Sequence, residues 1–370
     1  VTGLDISALV LAFGYAILQV RWYLAWQSMS TVSPPAGRLT HDWTVIIAAR
    51  NEANSIQAVV RDVLAQAPKA PHCIVVDDHS IDNTADLARE AGADCLVLPK
   101  GETGKKAALQ AGIQAAASNW IATLDADCRV SKDWLSSIDS ATSGAVAVAG
   151  PVQLVHDNSL LQRWQSLDFM GMMVITGASL QKANFAMGNG ANLAFSKAAF
   201  QEVGGYTSPK GKALASGDDM VLLGKLRQRF PGQIAFAKTP HAIVHTSASS
   251  SFGAFASQRL RWSAKTGLNL QVGLTLVLAW TWAFHLGLLL GIFCAAVGWL
   301  NWSVLAVGWV VKLSVDYLVL RAGTRFFGAH KLLDIFYPIA SLLHAVYVAG
   351  IGTLALLPVQ FDWKGRRHRH

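Results

Sequence analysis

The chain has 370 residues, room for one soluble domain and several membrane spans, and 52% of them are hydrophobic against 15% charged. Its mean hydropathy of +0.34 excludes a wholly soluble enzyme. The formal charge of +8 does not point to nucleic acid: no aromatic-interleaved basic module occurs, and Arg21, Arg38, Arg321, Arg325, Lys331 and the tail Lys364 to Arg369 flank apolar runs instead.

In chain order, the first apolar run, Ile6 to Val20, continues into Trp22, Tyr23 and Trp26, aromatics of the membrane interface. It has no basic leader and no small-residue cleavage site, so residues 1–39 read as a retained anchor and linker rather than a signal peptide. Arg21 and Arg38 place the next domain on the cytoplasmic side. Residues 40–250 carry most of the acids and the alternating patterns of a water-soluble α/β domain.

Within that domain Thr44 to Ala49 is a short buried strand ending at Arg50-Asn51-Glu52, followed by a helical pattern through Val59, Val60, Val63 and Leu64. Cys73 to Val76 is the next strand and ends at Asp77-Asp78-His79-Ser80; Asp82-Asn83-Thr84 opens a second helix. Leu96 to Leu98 is a third strand, Lys105 to Ala117 a third helix, and Trp120 to Leu124 a fourth strand ending at Asp125-Ala126-Asp127. This alternation predicts right-handed βαβ units and a mostly parallel sheet. Most polar clusters fall at the carboxyl ends of strands, where open α/β sheets bind ligands.

Residues 251–267 read as an amphipathic interface helix, and 268–359 as membrane helices before a basic tail at 360–370. From Thr266 to Val311 no Asp, Glu, Lys or Arg occurs, which exceeds the roughly 20 residues of one crossing. A break at Asn301-Trp302 gives spans near 272–299 and 303–321, and Leu332 to Val359, interrupted by Pro338, gives a further one. With the anchor, four spans are expected. The topology does not close, because three spans after a cytoplasmic domain leave the basic tail outside, against the positive-inside rule. Either the long run holds an extra turn or the last segment is re-entrant or interfacial. Lys312 and Asp316, four apart, are expected to form a structural ion pair near the interface. Cys73, Cys95, Cys128 and Cys294 show no metal-ligand spacing and read as free thiols in a reducing compartment.

The series Ala-Arg-Asn-Glu at 49–52, Val-Val-Asp-Asp-His-Ser at 75–80, Leu-Asp-Ala-Asp at 124–127, Ser-Gly-Asp-Asp at 216–219 and Gln-Arg-Leu-Arg-Trp at 258–262 resembles the membrane-bound family 2 glycosyltransferases. These share the GT-A fold with cellulose and hyaluronan synthases and ceramide glucosyltransferases. Single pieces recur by chance; five in order, the last beside a membrane span, are specific. The resemblance covers residues 40 to about 268 and implies a GT-A α/β domain joined to transmembrane helices in a bacterial inner membrane. It also implies a nucleotide-sugar donor, UDP favoured, with Mg2+ or Mn2+.

What the resemblance implies can be followed along the chain. Glu52 and Asp78 are to contact the base and ribose, with Asp77 beside them; alternatively Asp77, Asp78 and Ser80 only form an Asx turn and cap the next helix, and both can hold. Asp127 is to ligate the metal directly and Asp125 to bond the nucleotide or a metal water, with a solvated turn as the bland alternative and His245 as a further ligand in some GT-A enzymes. Lys105 and Lys106, at a helix start, fit phosphate, or are simply solvated. Asp219 is to be the base that takes the acceptor proton in an inverting transfer, supported by Asp218. Asn189 and Asn192, in Gly188-Asn189-Gly190-Ala191-Asn192, fit an acceptor-side loop as well as an ordinary turn.

Gln258, Arg261 and Trp262 fall on one face of a helix. Arg261 can fork onto diphosphate oxygens, Gln258 can bond diphosphate or acceptor, and Trp262 can stack on the acceptor sugar. Arg259 points elsewhere, toward lipid headgroups; an amphipathic anchor is the bland alternative for the whole segment. Four spans are few for a product channel, so transfer of one or a few sugars to a lipid or glycan acceptor at the bilayer is expected over processive polysaccharide synthesis. A nucleotide-binding membrane protein without turnover is the reading of another class, and nucleic acid is not an expected partner.

Overall fold

The computed structural model describes residues 2–32, 39–157, 159–182, 185–207, 218–263, 271–357, 360–363 and 366–369. They divide into two compact units: a helical unit of 1–28, 156–185 and 248–370, and an α/β unit of 29–155 and 186–247. Along the chain run α1 (Gly3–Ser28), β1 (Trp43–Ala49), α2 (Ile56–Leu64), β2 (His72–Asp77), α3 (Thr84–Glu90), β3 (Asp94–Val97), α4 (Lys105–Ala115) and β4 (Trp120–Asp125). There follow β5 (Arg129–Val130), α5 (Trp134–Ser140), β6 (Ala147–Ala149), β7 (Val152–Val155), α6 (Leu160–Lys182), β8 (Leu193–Ser196), α7 (Lys197–Glu202) and α8 (Asp218–Arg229). The remainder is β9 (Ile234–Phe236), β10 (Val244–Ser247), α9 (Phe252–Ser263), α10 (Val272–Ala296), α11 (Trp302–Phe326), α12 (His330–Leu354), β11 (Gln360–Trp363) and β12 (Arg366–Arg369).

In the α/β unit seven strands lie in the order β3-β2-β1-β4-β8-β6-β9. The pairs β1–β2, β2–β3, β1–β4 and β6–β9 are parallel, and β8 runs antiparallel to both β4 and β6. A central parallel strand is covered on both faces, which is why β1 is a run of apolar residues rather than an alternation, with Val45, Ile46 and Ile47 wholly buried. Helix α4 lies close over it: a Cβ on Gly112 would come 2.6 Å from Ile46 Cγ2. Opposite Ala49 stands Asp77, and opposite Ala48 stands Asp125, so β2, β1 and β4 end their polar segments along one sheet edge. A second sheet, β5-β10-β7, carries the residues after Asp127 and before Ser247.

The helical unit contains α1, α6, α9 and α10 to α12, and α1, α10, α11 and α12 are each long and apolar enough to cross a membrane. Asn301 caps α11 as the break between two spans requires, and its backbone N–H and side-chain amide donate to Asp5 of α1 at 3.0 and 2.6 Å. Helix α6, within residues 40–250, groups with the helical unit and buries residues around its whole circumference. The Lys312–Asp316 pair forms at 2.5 Å, but Lys312 is fully buried rather than at a wet boundary. Of the basic tail, Lys364, Gly365 and His370 lie outside the described residues.

Candidate active site

The strand ends of the α/β unit are tied by short polar bonds. Asn51 and His79 both adopt the left-handed region, with φ of 53° and 55°, where asparagine and histidine are better tolerated than most residues. The Asn51 N–H donates to Ser80 Oγ and the Glu52 N–H to Thr84 Oγ1, which locks the loop after β1 onto the loop after β2. Asp77 accepts from the Ser80 N–H at 3.1 Å and from its hydroxyl, so its carboxylate is spent on an Asx turn. Asp78 is different: it is buried at the edge, its N–H donates to Ala49 O, and Arg50 Nη1 stands 3.7 Å from its Oδ2. At the start of α3 the N-cap is Asn83, which makes no side-chain cap bond, and the Thr84 N–H donates instead to Asp82 Oδ1. Of the two neighbouring acids, Asp78 is thus the one beside Arg50 at the strand edge, and Asp77 the one that holds the turn.

Lys105 opens α4 behind Gly104, whose φ of 96° suits glycine, and its ammonium pairs with Asp125. Burial works against that charge, but Asp125, by charge and hydrogen bond, and Asp219 outweigh it and hold the Lys105 pKa above the ordinary lysine value. Asp127 accepts from Thr246 Oγ1 at 3.2 Å, and its pKa is raised, first by burial and then by the charges of Asp125 and Glu52. Three carboxylates that repel one another in a half-dry pocket fit an oxygen-ligated cation such as Mg2+ or Mn2+. Thr246 lies on β10, and strand alternation turns its neighbour His245 to the other face of that strand. Coordination positions beyond the carboxylates are left to phosphate and water. Lys106 makes no ion pair among the described residues; burial, and then the Lys106 charge, lower the pKa of Lys225.

Asp219, in the first turn of α8, is aimed by backbone: the Gly190 N–H donates to its Oδ2 at 3.0 Å and the Met220 N–H to its Oδ1 at 2.8 Å. A Cβ on Gly190 would lie 3.6 Å from Asp219 Oδ2 and 3.7 Å from Lys105 Nζ, so the loop 188–192, the lysine and the acid share one spot. Asp125, Lys105 and Asp219 are thus brought together. Residues 216 and 217 and the side chain of Asp218 lie outside the described residues. Asn192 does not serve an acceptor: it is wholly buried, both its amide hydrogens go to Pro151 O and Ala242 O at 2.8 and 2.9 Å, and its oxygen accepts from Trp134 Nε1. Asn189 keeps its loop closed by accepting from the Ala191 N–H. Sequence reasoning gave no role to Arg50, although it lies within the Ala-Arg-Asn-Glu motif, and missed Thr246, which sits in no recognisable spacing; the fold brings both to the acids.

In the helical unit α9 is a continuous helix that carries Gln258, Arg261 and Trp262 at i, i+3 and i+4, but the residue between them is not where the sequence placed it. Arg259, expected at lipid headgroups, is 2% exposed. Its guanidinium pairs with Asp168 at 3.2 Å and lies over the rings of Trp262, Phe255 and Tyr347 at 4.6, 5.1 and 5.5 Å. The i−4 and i+3 spacing of Phe255 and Trp262 makes this the inward face of α9, so one side of the Trp262 ring is already taken by an arginine. A headgroup role fails because Asp168 and the aromatic cage hold this charge out of contact with lipid.

Residues 44–204 match the family described as glycosyl transferase family 2. Succinoglycan biosynthesis protein ExoO of Rhizobium meliloti is 27% identical over 52% of this chain and 57% of its own length. An undecaprenyl-phosphate 4-deoxy-4-formamido-L-arabinose transferase of Pectobacterium carotovorum is 30% identical over 33% of this chain and 40% of its own. The chain thus spans about half the length of such relatives or less. Among solved structures it is similar to the mannosyltransferase PcManGT from Pyrobaculum calidifontis, in complex with GDP-Man and Mn2+, with a TM-score of 0.56 at 18% identity over 95% of this chain and 99% of that one. At that identity the likeness is one of fold, and it is the GT-A fold that the parallel sheet and its acidic edge already describe. With its acids at the carboxyl edge of that sheet, the chain has a GT-A fold, its residues 44–204 match glycosyl transferase family 2, and it also carries four helices apolar enough to span a membrane.

Proposed function

We propose that the chain transfers a sugar from a nucleoside-diphosphate sugar to a membrane-associated lipid acceptor, with inversion and with Mg2+ or Mn2+. The observation that carries this reading is the convergence of Asp125, Lys105 and Asp219, with Asp127 crowded by like charges on the same strand end. Asp127 and Asp125 are the residues to hold the metal, which when bound screens the diphosphate and stabilises the departing nucleoside diphosphate. Asp78 and Glu52 receive the base and ribose. Lys105 supplies a fixed positive charge beside the acids, and the Gly190 N–H holds the Asp219 carboxylate in one orientation while it takes the acceptor hydroxyl proton. Arg261 and Gln258 are assigned by resemblance to the diphosphate, without a geometric argument.

A lipid acceptor is favoured by the four apolar helices and by the undecaprenyl-phosphate transferase among the relatives. The succinoglycan relative keeps polymer formation as a second reading. UDP follows from the resemblance, whereas the solved mannosyltransferase holds GDP-Man, so both nucleotides belong in the test. The test is a screen of UDP- and GDP-sugars with membrane lipid extract and Mn2+, read by mass spectrometry. One or a few sugar increments on a lipid support the proposal; long polymer, or no transfer with any donor, contradicts it.

A further inference from the structure

We propose that His285, Asp316 and His344 form a binding site for one divalent transition-metal ion inside the helical unit, separate from the metal of the donor site. One ligand comes from each of α10, α11 and α12, and one ligand atom from each residue lies within 4.8 Å of the others. Bonds of about 2 Å from nitrogen and oxygen close separations of this size with small side-chain shifts.

The independent observation is His285. It is wholly buried, its Nδ1 lies 2.7 Å from Thr281 O, and its Nε2 has no hydrogen-bond partner among the described residues. The carbonyl fixes the proton on Nδ1, so Nε2 presents a bare lone pair in the dry interior. A histidine whose other nitrogen donates to a backbone carbonyl is the usual form of a metal-ligating imidazole. The His344 ring stands edge-on to it, 5.0 Å between centroids, and Asp316 supplies a carboxylate. Two imidazoles and one carboxylate select Zn2+, Co2+ or Ni2+ over Mg2+ and Ca2+, which prefer all-oxygen sets. His344 is part exposed, and its Nε2 stands 3.6 Å from Asp168 Oδ1.

The cluster already has a cation on one flank. Lys312 Nζ donates to Asp316 Oδ2 at 2.5 Å and to Ser341 Oγ at 3.1 Å, and stands 3.5 Å from His344 Nδ1; Tyr15 donates to Asp316 Oδ1. An incoming ion competes with that ammonium for Asp316 and His344, while His285 Nε2 is reserved for it. The ion would add a shared tie to three helices that already pack on one another, with Lys312 of α11 bonded to Ser341 of α12 and Trp282 of α10 to Thr353 of α12.

The test uses the full chain in detergent, stripped of metal and titrated with Zn2+ and with Co2+, whose visible absorption reports nitrogen ligands. Asp127→Asn serves as the control for the donor site. The proposal expects one Zn2+ per chain in the wild type and in Asp127→Asn, and affinity at least tenfold weaker in His285→Gln and His344→Gln. Lys312→Met, which removes the competing ammonium, should bind more tightly than the wild type. No tightly bound ion in the wild type overturns the proposal without any variant needing to fold. So does an ion whose affinity and spectrum are unchanged by His285→Gln.

Discussion

Single side chains decide the chemistry of the α/β unit, and three of them can be separated by substitution. Lys105 is the positive partner of Asp125 and feels Asp219, so Lys105→Met should weaken nucleotide-diphosphate binding about tenfold or more, read by calorimetry with Mn2+ present. Unchanged binding would assign the lysine to packing alone. Asp127→Asn removes the acid most crowded by like charge; Mn2+ affinity and transfer should both fall, and excess Mn2+ should restore part of the activity. Asn192→Ala tests the opposite kind of residue. It removes the partners of Ala242 O and Trp134 Nε1 and leaves Pro151 O with the Val244 N–H alone, so unfolding should become easier by about 3 kcal/mol, seen in denaturant titration. The KM for acceptor in the folded fraction should not move. Asp78, Asp125, Asp127 and Asp219 were legible because acids at strand ends and helix starts have few structural uses. Asn192 was misread because an amide looks the same in sequence whether its donors face a ligand or two buried carbonyls.

At the scale of elements, the close approach of α4 to β1 positions Lys105. Gly112→Ala puts a methyl against Ile46, so it should cost about 1–3 kcal/mol and loosen nucleotide binding as well, measured by thermal unfolding with and without nucleotide. The strands β1 to β4 and helices α2 to α4 could be read from sequence to within one or two residues, because each βαβ unit repeats one pattern locally. Beyond Asp127 that logic stops. β6, β8 and β9 are only three or four residues long, and their pairing is non-local, β4 with β8 and β6 with β9. Helix α6 escaped as well, since a helix buried around its circumference has no polar face to set a period. The four long apolar helices were plain from length and charge alone, including the break at Asn301.

At the scale of the molecule, the chain joins a GT-A unit to a helical unit whose interior holds charges as well as apolar side chains. Arg259 sits in the conspicuous Gln-Arg-Leu-Arg-Trp segment, yet its partner is Asp168 and its neighbours are aromatic. Breaking a buried pair of this kind leaves a charge without a partner, at a cost of about 3–5 kcal/mol. Arg259→Met should therefore destabilise the helical unit, seen as earlier thermal unfolding in detergent, and the paired change Asp168→Asn should recover part of the loss. The pattern read from sequence placed Arg259 in the right helix, but could not distinguish an arginine facing lipid from one caged inside, and gave no sign of Asp168 as its partner. The central claim, that this assembly is a catalyst and not only a nucleotide binder, rests on Asp219. The direct measurement compares wild type with Asp219→Asn for Mn2+-dependent nucleotide binding and for transfer of labelled sugar into the lipid fraction. The account predicts equal binding and transfer lower by about a hundredfold to ten-thousandfold in the variant. Transfer that survives in Asp219→Asn, or that is absent from the wild type with every donor, would contradict it.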